Sequence, residues 1–313
     1  MLKRTAVVFG ALLMLTASNA VAWSQTKYPE HPIKMIVPFP PGGGADVLAR
    51  MVGQKLNERW GQPVVVENKP GNAGIIGANE VGRSKPDGYT LLMAASGAVV
   101  ANNIDRLAPV ALVTTPPYML AVHESLPVKT VAEFVEYLKK NPKAVNFASS
   151  GVGSASHLAA ELFMGLSKTQ MTHVPYKGIG QGVNDLISNK VSVMFGPPQA
   201  LLPQVAAGRI KILGVTSKER YPLFAEIPPV AESVPGFEAV GWYGILATAG
   251  TPDDIVKQLS DATNAAIQDP TVKERMNALG ATPRPGTPAD FRAFLKQDTA
   301  KWAELLSKVE ATK

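Results

Sequence analysis

The sequence predicts an α/β fold divided into two lobes, each with a mostly parallel sheet flanked by helices. Two observations support this prediction. Short apolar runs alternate with amphipathic helical runs along most of the chain, and this alternation is typical of βαβ units. At 313 residues, the chain is also long for a single open sheet, so two lobes are expected.

The expected strands are short apolar runs bounded by turn residues. In chain order they are Ile33–Phe39, Val64–Glu67, Thr90–Ala95, Met119–His123, Val145–Ala148, Met171–Val174, Val191–Phe195, Ile210–Val215 and Gly241–Ala247.

The expected helices are segments in which apolar residues recur on one face. Leu48, Met51 and Val52, for example, share one side of the first helix. The predicted helices include Ala45–Arg59, Val131–Lys140, Ser156–Leu166, Asp253–Gln268, Thr271–Leu279 and Pro288–Val309, and no strand separates the last three.

This order of elements predicts that the chain passes between the lobes near Val122–Ser125 and returns near Phe237–Gly241. The first lobe would then contain residues 23–123 and 240–313, and the second lobe residues 124–239.

The first 22 residues have the pattern of a secretory signal peptide. Lys3 and Arg4 precede the apolar run "AVVFGALLMLTA", and small residues follow at Ala20–Ala22. This order predicts cleavage after Ala22, with an uncleaved anchor as the alternative. We therefore expect the mature protein to be exported and soluble.

The composition excludes several functional classes. There is no cysteine, so disulfides and thiolate chemistry are impossible. The formal net charge is +6, and removal of Lys3 and Arg4 leaves +4. This charge is small and spread along the chain, so no nucleic-acid partner is expected.

The first candidate binding loop lies in "IVPFPPGGGADVLARMVG". Phe39 ends the predicted strand, and Gly42, Gly43 and Gly44 precede the helix. The glycines are not followed by Gly-Lys-Ser/Thr, and the G-x-G-x-x-G spacing is absent. Free N–H groups and the helix dipole favour an anion here, but a tight turn without a ligand explains the pattern equally well.

Asp46, in the first helical turn, also has two interpretations. The carboxylate can offset the helix dipole and pair with Arg50 four residues later. It can instead brace the glycine loop or hold water against a ligand. The sequence does not separate these roles.

A second loop, within "VNFASSGVGSASHLAAELF", repeats the design with Ser149, Ser150, Gly151, Gly153 and Ser154 before a helix. A serine there can cap the helix, or the loop can donate hydrogen bonds to an anion. Because each predicted lobe contains one such loop, the two helix N-termini could face each other across a cleft.

No arrangement of residues indicates an enzyme. Ser154 and His157 are close in sequence, but there is no G-x-S-x-G elbow. None of the four histidines has H-E-x-x-H or similar ligand spacing. We therefore expect no catalytic residues, no metal and no cofactor.

Six segments together resemble the Bug-type receptors, the periplasmic solute-binding proteins of tripartite tricarboxylate transporters. They occur in the family's order over essentially the whole mature chain: "FPPGGGADVLAR", "VVVENKPGNAGIIGA", "KPDGYTLL", "SSGVGSASHLAAELF", "THVPYKG" and "GWYGILATAGTP". The resemblance implies a periplasmic Venus-flytrap protein. It would hold a small organic anion, usually a carboxylate, between two lobes and deliver it to membrane transporter subunits.

The resemblance also implies the site residues. The loops Phe39–Asp46 and Ser149–Ser154 would hold the anion, largely through backbone N–H groups and ordered water. Ser96 would form a wall of the pocket. Tyr176 and Trp242–Tyr243 are weaker candidates, with hinge or core packing as the alternative.

Because of two departures from the family pattern, the resemblance implies the fold more directly than the identity of the ligand. Gly196, Pro197 and Pro198 follow a strand where an acidic residue is common, and "GNAGIIGA" lacks the usual adjacent glycine pair. Two alternatives stay open, a receptor that informs a sensor protein and an exported hydrolase or isomerase on the same scaffold. We expect a monomer.

Overall fold

The computed structural model describes residues 28–96 and 104–310, so the predicted signal peptide lies outside the described residues. Two five-stranded sheets organise this part of the chain. The strands are β1 Ile33–Val37, β2 Val64–Asn68, β3 Thr90–Ala95, β4 Leu107–Thr114, β5 Met119–His123, β6 Asn146–Ser149, β7 Thr172–Pro175, β8 Val193–Gly196, β9 Ile210–Val215 and β10 Tyr243–Thr248.

Helices cover both faces of each sheet. They are α1 Gly44–Trp60, α2 Ile75–Gly82, α3 Val131–Lys140, α4 Ala155–Ser167, α5 Ile179–Ile187, α6 Pro198–Ala206, α7 Asp253–Gln268, α8 Pro270–Ala278 and α9 Pro288–Glu310. Short 3-10 turns lie at Asn72–Gly74, Ile104–Arg106, Pro222–Phe224 and Val230–Glu232.

The predicted two-lobed α/β fold with mostly parallel sheets is confirmed. The strand orders are β2-β1-β3-β10-β4 and β7-β6-β8-β5-β9. In the first sheet only β10 is antiparallel to its neighbours, and in the second only β5 is. These are the strands that begin directly after the chain has passed between the sheets. They run away from the boundary, whereas β1, β6 and β8 run towards it.

The first passage between the sheets was predicted wrongly. Leu107–Thr114 forms β4 of the first sheet and Met119–His123 forms β5 of the second, so the passage lies at residues 115–118 and not near Val122–Ser125. Strand β4 was not predicted from the sequence because the strand contains Pro109. Proline is tolerated there because β4 is an edge strand. The proposed domain limit at residue 239 stays a prediction.

The return passage runs beside the first one. The Ala239 N–H donates to the Thr216 carbonyl at 2.9 Å, and the Gly241 N–H donates to the Pro116 carbonyl at 3.0 Å. An antiparallel bridge joins Pro117 to Val240. Two adjacent chain segments therefore connect the lobes.

The final helix also spans both lobes. Phe291 and Leu295 pack into a core cluster of the first lobe, and Trp302 packs into the main core of the second. Between them, the Asp298 carboxylate accepts hydrogen bonds from the indole N–H groups of Trp242 at 2.7 Å and Trp302 at 3.0 Å. The helix is therefore only partly a first-lobe element. No helix of the described ranges is both long and apolar enough to cross a membrane.

Candidate functional site

A cavity of about 40 Å³ lies between the lobes, at the carboxyl ends of several parallel strands. This volume is room for a few water molecules. Both lobes contribute to its lining, which consists of Phe39, Pro40, Gly43, Gly44, Ala45, Ala95, Ser96, Tyr118, Ser150, Ile179, Gly180, Pro197 and Tyr243.

Three helices begin at this cavity. Helix α1 begins at Gly44 in the first lobe, and α5 and α6 begin at Ile179 and Pro198 in the second. The first N–H groups of α1 and α5 have no intrahelical partner, whereas α6 has no N–H at Pro197 and Pro198. The dipoles of all three helices add partial positive charge. Among the described residues that line the cavity, none has a charged side chain. An anion there would be held by backbone N–H groups and dipoles.

Asp46 fulfils both roles that the sequence suggested. Its carboxylate accepts hydrogen bonds from the Gly42 N–H at 3.0 Å, from Arg50 at 2.9 and 3.1 Å, and from the Asn68 amide at 3.0 Å. The same Asn68 amide donates to the Phe39 carbonyl at 3.0 Å. Asp46 therefore forms an ion pair with Arg50 of its own helix and also braces the glycine loop.

The surroundings of Asp46 determine its ionisation. Burial acts to raise the pKa of Asp46, but the hydrogen bonds from Arg50, Gly42 and Asn68 outweigh it and lower that pKa. The carboxylate is therefore charged whenever the loop is in this conformation at neutral pH. Asn68 was missed by the sequence analysis, although a polar residue at the end of the strand beside β1 was a signal for it.

Gly44 lies where no side chain fits. A Cβ atom at this position would overlap the Tyr243 hydroxyl, lie 2.9 Å from Tyr243 Cζ and lie 3.3 Å from Gln199 Oε1. Gly43 differs, because the nearest atom to a Cβ there is the Pro40 carbonyl oxygen at 3.8 Å. The backbone of α1 therefore approaches Tyr243 and Gln199 closely at its first residue.

In the second loop, Ser150 lines the cavity and Ser154 caps the helix. The Ser154 hydroxyl donates to the Gly151 carbonyl at 2.6 Å and accepts from the His157 N–H at 3.4 Å. The Ser156 hydroxyl accepts from the Ser150 N–H at 3.0 Å. The capping interpretation of Ser154 therefore describes its contacts, and those contacts hold the loop in place.

Ser149 faces a pair of histidines instead of the cavity. Its hydroxyl lies 2.6 Å from His173 Nε2, and the His173 ring stacks against both Phe147 and His157. His157 Nδ1 accepts from the Gly153 N–H at 3.1 Å. This cluster supports the loop from behind.

Tyr176 also lies outside the cavity lining. Its hydroxyl donates to the Asp185 carboxylate at 2.8 Å. Burial and that carboxylate raise the pKa of Tyr176 to about 12. The hydroxyl is thus already occupied within its own lobe.

The predicted site residues therefore fall into two groups. Those that line the cavity are Phe39, Gly43, Gly44, Ser96 and Ser150. Those outside the lining are Gly42, Asp46, Ser149, Gly151, Gly153, Ser154 and Tyr176. Contact of any of them with a ligand stays a prediction.

Several lining residues were not among the predicted site residues. Tyr118 lies on the first passage between the lobes, and its hydroxyl bonds to Ser96 while burial raises its pKa to about 12. Ile179 and Pro197 belong to the α5 and α6 starts. The segments "YKGIG" and "FGPPQ" each carried the signal of a glycine followed by a helix. Tyr243 had been a weaker candidate, and it lines the cavity.

The lobes touch at the rim of the cavity. A Cβ atom on Gly178 would overlap the Pro40 ring, and one on Gly151 would lie 3.6 Å from the Ala73 Cβ. Each pair joins one residue of the second lobe to one of the first. The two lobes are therefore in contact at the rim of the cavity.

Comparison with known proteins agrees with this architecture. Residues 48–311 match the sequence profile described as "Tripartite tricarboxylate transporter family receptor". The chain belongs to the tripartite tricarboxylate transporter receptor family. Several solved structures superpose on this chain over almost their full length.

The receptor is similar to Rpa4515 of R. palustris, solved with adipate, with a TM-score of 0.86, 31% identity, and coverage of 90% of this chain and 98% of that one. It is similar to the periplasmic binding protein BugD, with a TM-score of 0.84, 33% identity, and 90% and 99% coverage. It is also similar to MatC of Rhodopseudomonas palustris, solved with bound malate, with a TM-score of 0.84, 30% identity, and 89% and 99% coverage.

Proposed function

We propose that this receptor captures a small organic carboxylate between its lobes and delivers it to a tripartite tricarboxylate-type transporter. One observation carries the proposal: the N-termini of α1, α5 and α6 converge on a cavity between the lobes whose described lining has no charged side chain. The adipate of Rpa4515 and the malate of MatC support a carboxylate as the ligand class.

The physics of the cavity favours a carboxylate over a phosphate ester. Backbone N–H groups and helix dipoles supply partial charges, which suit a singly charged headgroup. A phosphate is more often held by the bidentate guanidinium of arginine, and no arginine is among the described lining residues.

The contacts also favour capture over chemistry. Ser149 and His173, 2.6 Å apart, have the spacing of a nucleophile and its base. Ser149, however, is fully buried and does not line the cavity. A ligand between the lobes would not reach this hydroxyl. We therefore infer that the ligand is released chemically unchanged.

Export and delivery complete the proposal. Cleavage after Ala22 would release a periplasmic protein, which intact-mass measurement of a periplasmic extract tests. The resemblance to transporter receptors favours transporter subunits as the partner over a sensor protein. We propose that the receptor acts as a monomer.

A thermal-shift screen of mono- and dicarboxylates of three to eight carbons, with phosphate esters as controls, tests the ligand class. Small-angle scattering with the best acid tests the mechanism, and a smaller radius of gyration is expected at saturation. Recovery of the unchanged acid after denaturation is expected. Stabilisation by phosphate esters alone, or conversion of the acid, would contradict the proposal.

A further inference from the structure

Two tyrosines line the cavity beside the segments that connect the lobes. Tyr118 ends the first passage between the sheets and packs into the main core of the second lobe. Tyr243 begins β10, directly after the return passage, and packs into the main core of the first lobe. Only 7% of Tyr118 and 4% of Tyr243 is exposed. A buried tyrosine normally has a hydrogen-bond partner for its hydroxyl, so the partners of these two hydroxyls indicate what the cavity binds.

The Tyr243 hydroxyl has no hydrogen-bond partner among the residues that the structure describes. It lies at the start of α1, because a Cβ atom on Gly44 would overlap it. In the described part of the chain, the unpaired side-chain atoms that are also inaccessible belong to Gln199 and Asn277. The Tyr243 oxygen is not one of them. This hydroxyl is therefore unpaired and accessible, next to a helix N-terminus that lines the cavity.

The Tyr118 hydroxyl uses its oxygen but not its proton. Burial raises the pKa of Tyr118, and a hydrogen bond from Ser96 acts to lower it. A hydrogen bond that lowers the pKa of a phenol is donated to its oxygen. Ser96 Oγ in turn accepts from the Trp242 N–H at 3.4 Å. This chain of donors ends at the Tyr118 O–H, for which the described residues offer no acceptor apart from the neighbouring Tyr243 oxygen.

The need for an acceptor does not depend on how the two hydroxyls are oriented. Tyr118 and Tyr243 lie close enough for the charge of one to raise the pKa of the other. If one phenol donates to the other, one proton is left, and otherwise two are left. At least one O–H group therefore needs an acceptor from outside the described residues. Because burial raises both pKa values, the phenols keep their protons at neutral pH and donate without adding charge.

We propose that the Tyr243 hydroxyl donates a hydrogen bond to the carboxylate of the ligand, at the end of the cavity next to the two passages between the lobes. This inference rests on the proposed function and adds a side-chain donor to the backbone N–H groups. An ionised carboxylate accepts hydrogen bonds and donates none, so it satisfies the phenol. An ammonium group only donates, so it would leave the phenol proton unpaired.

Calorimetric titration of wild type and Tyr243→Phe with malate, succinate, glutarate and adipate tests the contact. Phenylalanine keeps the ring and removes only the hydroxyl. Because hydrogen bonds to a charged group are among the stronger ones, we expect the Kd of each acid that wild type binds to rise about tenfold or more. The melting temperature of the ligand-free variant should stay equal or rise, since the hydroxyl has no partner in the protein to lose.

Tyr28→Phe is the matched control. Tyr28 belongs to the same core as Tyr243 and lies outside the cavity lining, and its hydroxyl donates to the Gly88 carbonyl at 2.7 Å. The control should lower the melting temperature, because the Gly88 carbonyl loses its donor, and should leave the Kd within about twofold. This result is the reverse of the one expected for Tyr243→Phe. Tyr118→Phe, titrated with the same acids, shows which of the two phenols is the donor.

Each outcome decides. A Tyr243→Phe variant that binds within about twofold of wild type overturns the inference and leaves the proposed function intact, and so does a loss of affinity that appears only in Tyr118→Phe. A rise in Kd with a fall in melting temperature as large as that of Tyr28→Phe assigns the Tyr243 hydroxyl a structural role and also overturns the inference. If wild type binds none of these acids and none of the wider screen, the proposed function fails, and the inference fails with it.

Discussion

Asp46→Ala tests whether the glycine loop must be braced for the receptor to bind. The substitution removes an acceptor that is 4% exposed and that joins Gly42, Arg50 and Asn68. Arg50 is 53% exposed and regains water, so its ion pair contributes about 0–1 kcal/mol. The Gly42 N–H and the Asn68 amide each lose a hydrogen bond to a charged group, worth about 1.5–3 kcal/mol when buried.

Because these two donors are only part-buried, water can reach them after the substitution. We therefore expect the free energy of unfolding to fall by about 2–4 kcal/mol, or roughly 5–10 °C in melting temperature. Affinity should fall as well, since one or two loop residues must then be ordered on binding at about 1 kcal/mol each. This corresponds to about fivefold to thirtyfold in Kd.

Calorimetric titration with the best acid of the screen, and melting of the ligand-free protein, measure the two effects. Arg50→Gln is the matched control, because it removes the ion pair and leaves the bonds from Gly42 and Asn68. It should cost about 1 kcal/mol or less and leave the affinity within about twofold. If Asp46→Ala and Arg50→Gln behave alike, Asp46 serves only its helix and the bracing argument is refuted.

The pH dependence gives an independent check of the same bonds. Since the folded-state pKa of Asp46 is lowered, its contribution to stability is present above the ordinary carboxyl pKa of about 3.9. That contribution is lost as the pH falls through the lowered folded value. The melting-temperature difference between wild type and Asp46→Asn should therefore persist from neutral pH to about pH 5 and narrow only below about pH 4.

Three further substitutions test the cavity and its rim. Gly44→Ala overpacks the start of α1 and should lower the free energy of unfolding by about 1–3 kcal/mol and the affinity about tenfold. Gly43→Ala is the control, with its nearest contact at 3.8 Å, and should change neither quantity. Equal Kd values for the two variants would contradict the close approach at Gly44. Gly178→Ala places a methyl against Pro40 of the other lobe and should keep the radius of gyration large at saturating acid. A decrease in the radius of gyration as large as that of the wild type would show that the contact with Pro40 does not prevent closure. Tyr176→Phe should cost about 0.5–1.5 kcal/mol with affinity unchanged, and a tenfold loss would instead place its hydroxyl on the ligand.

Local signals determined the elements. The strands Thr90–Ala95, Met119–His123 and Ile210–Val215 were predicted to the residue, as were the helices Val131–Lys140 and Asp253–Gln268. Hydrophobic period, glycine, proline and capping residues set these boundaries, and all of them act within a few residues of the chain. The order of six such segments was also sufficient to indicate the family.

Local signals did not determine which strands pair when they lie far apart in the chain. Met119–His123 was predicted correctly as a strand and assigned to the wrong lobe. Its partner strands, β8 and β9, follow much later in the chain. The strand that precedes it, β4, was not predicted because it contains Pro109. A strand's own residues specify its extended conformation but not which sheet it joins.

The division of the site residues was likewise a tertiary outcome. The sequence identified both glycine-containing loops, yet it could not separate Ser150, which lines the cavity, from Ser149, which faces His173. Gln199 lies in "FGPPQ", where a glycine before a helix was a local signal. That its buried amide has no hydrogen-bond partner among the described residues is visible only in the tertiary structure. Local propensity decides where a loop lies, whereas burial, which depends on every neighbour at once, decides which of its groups are left for a ligand.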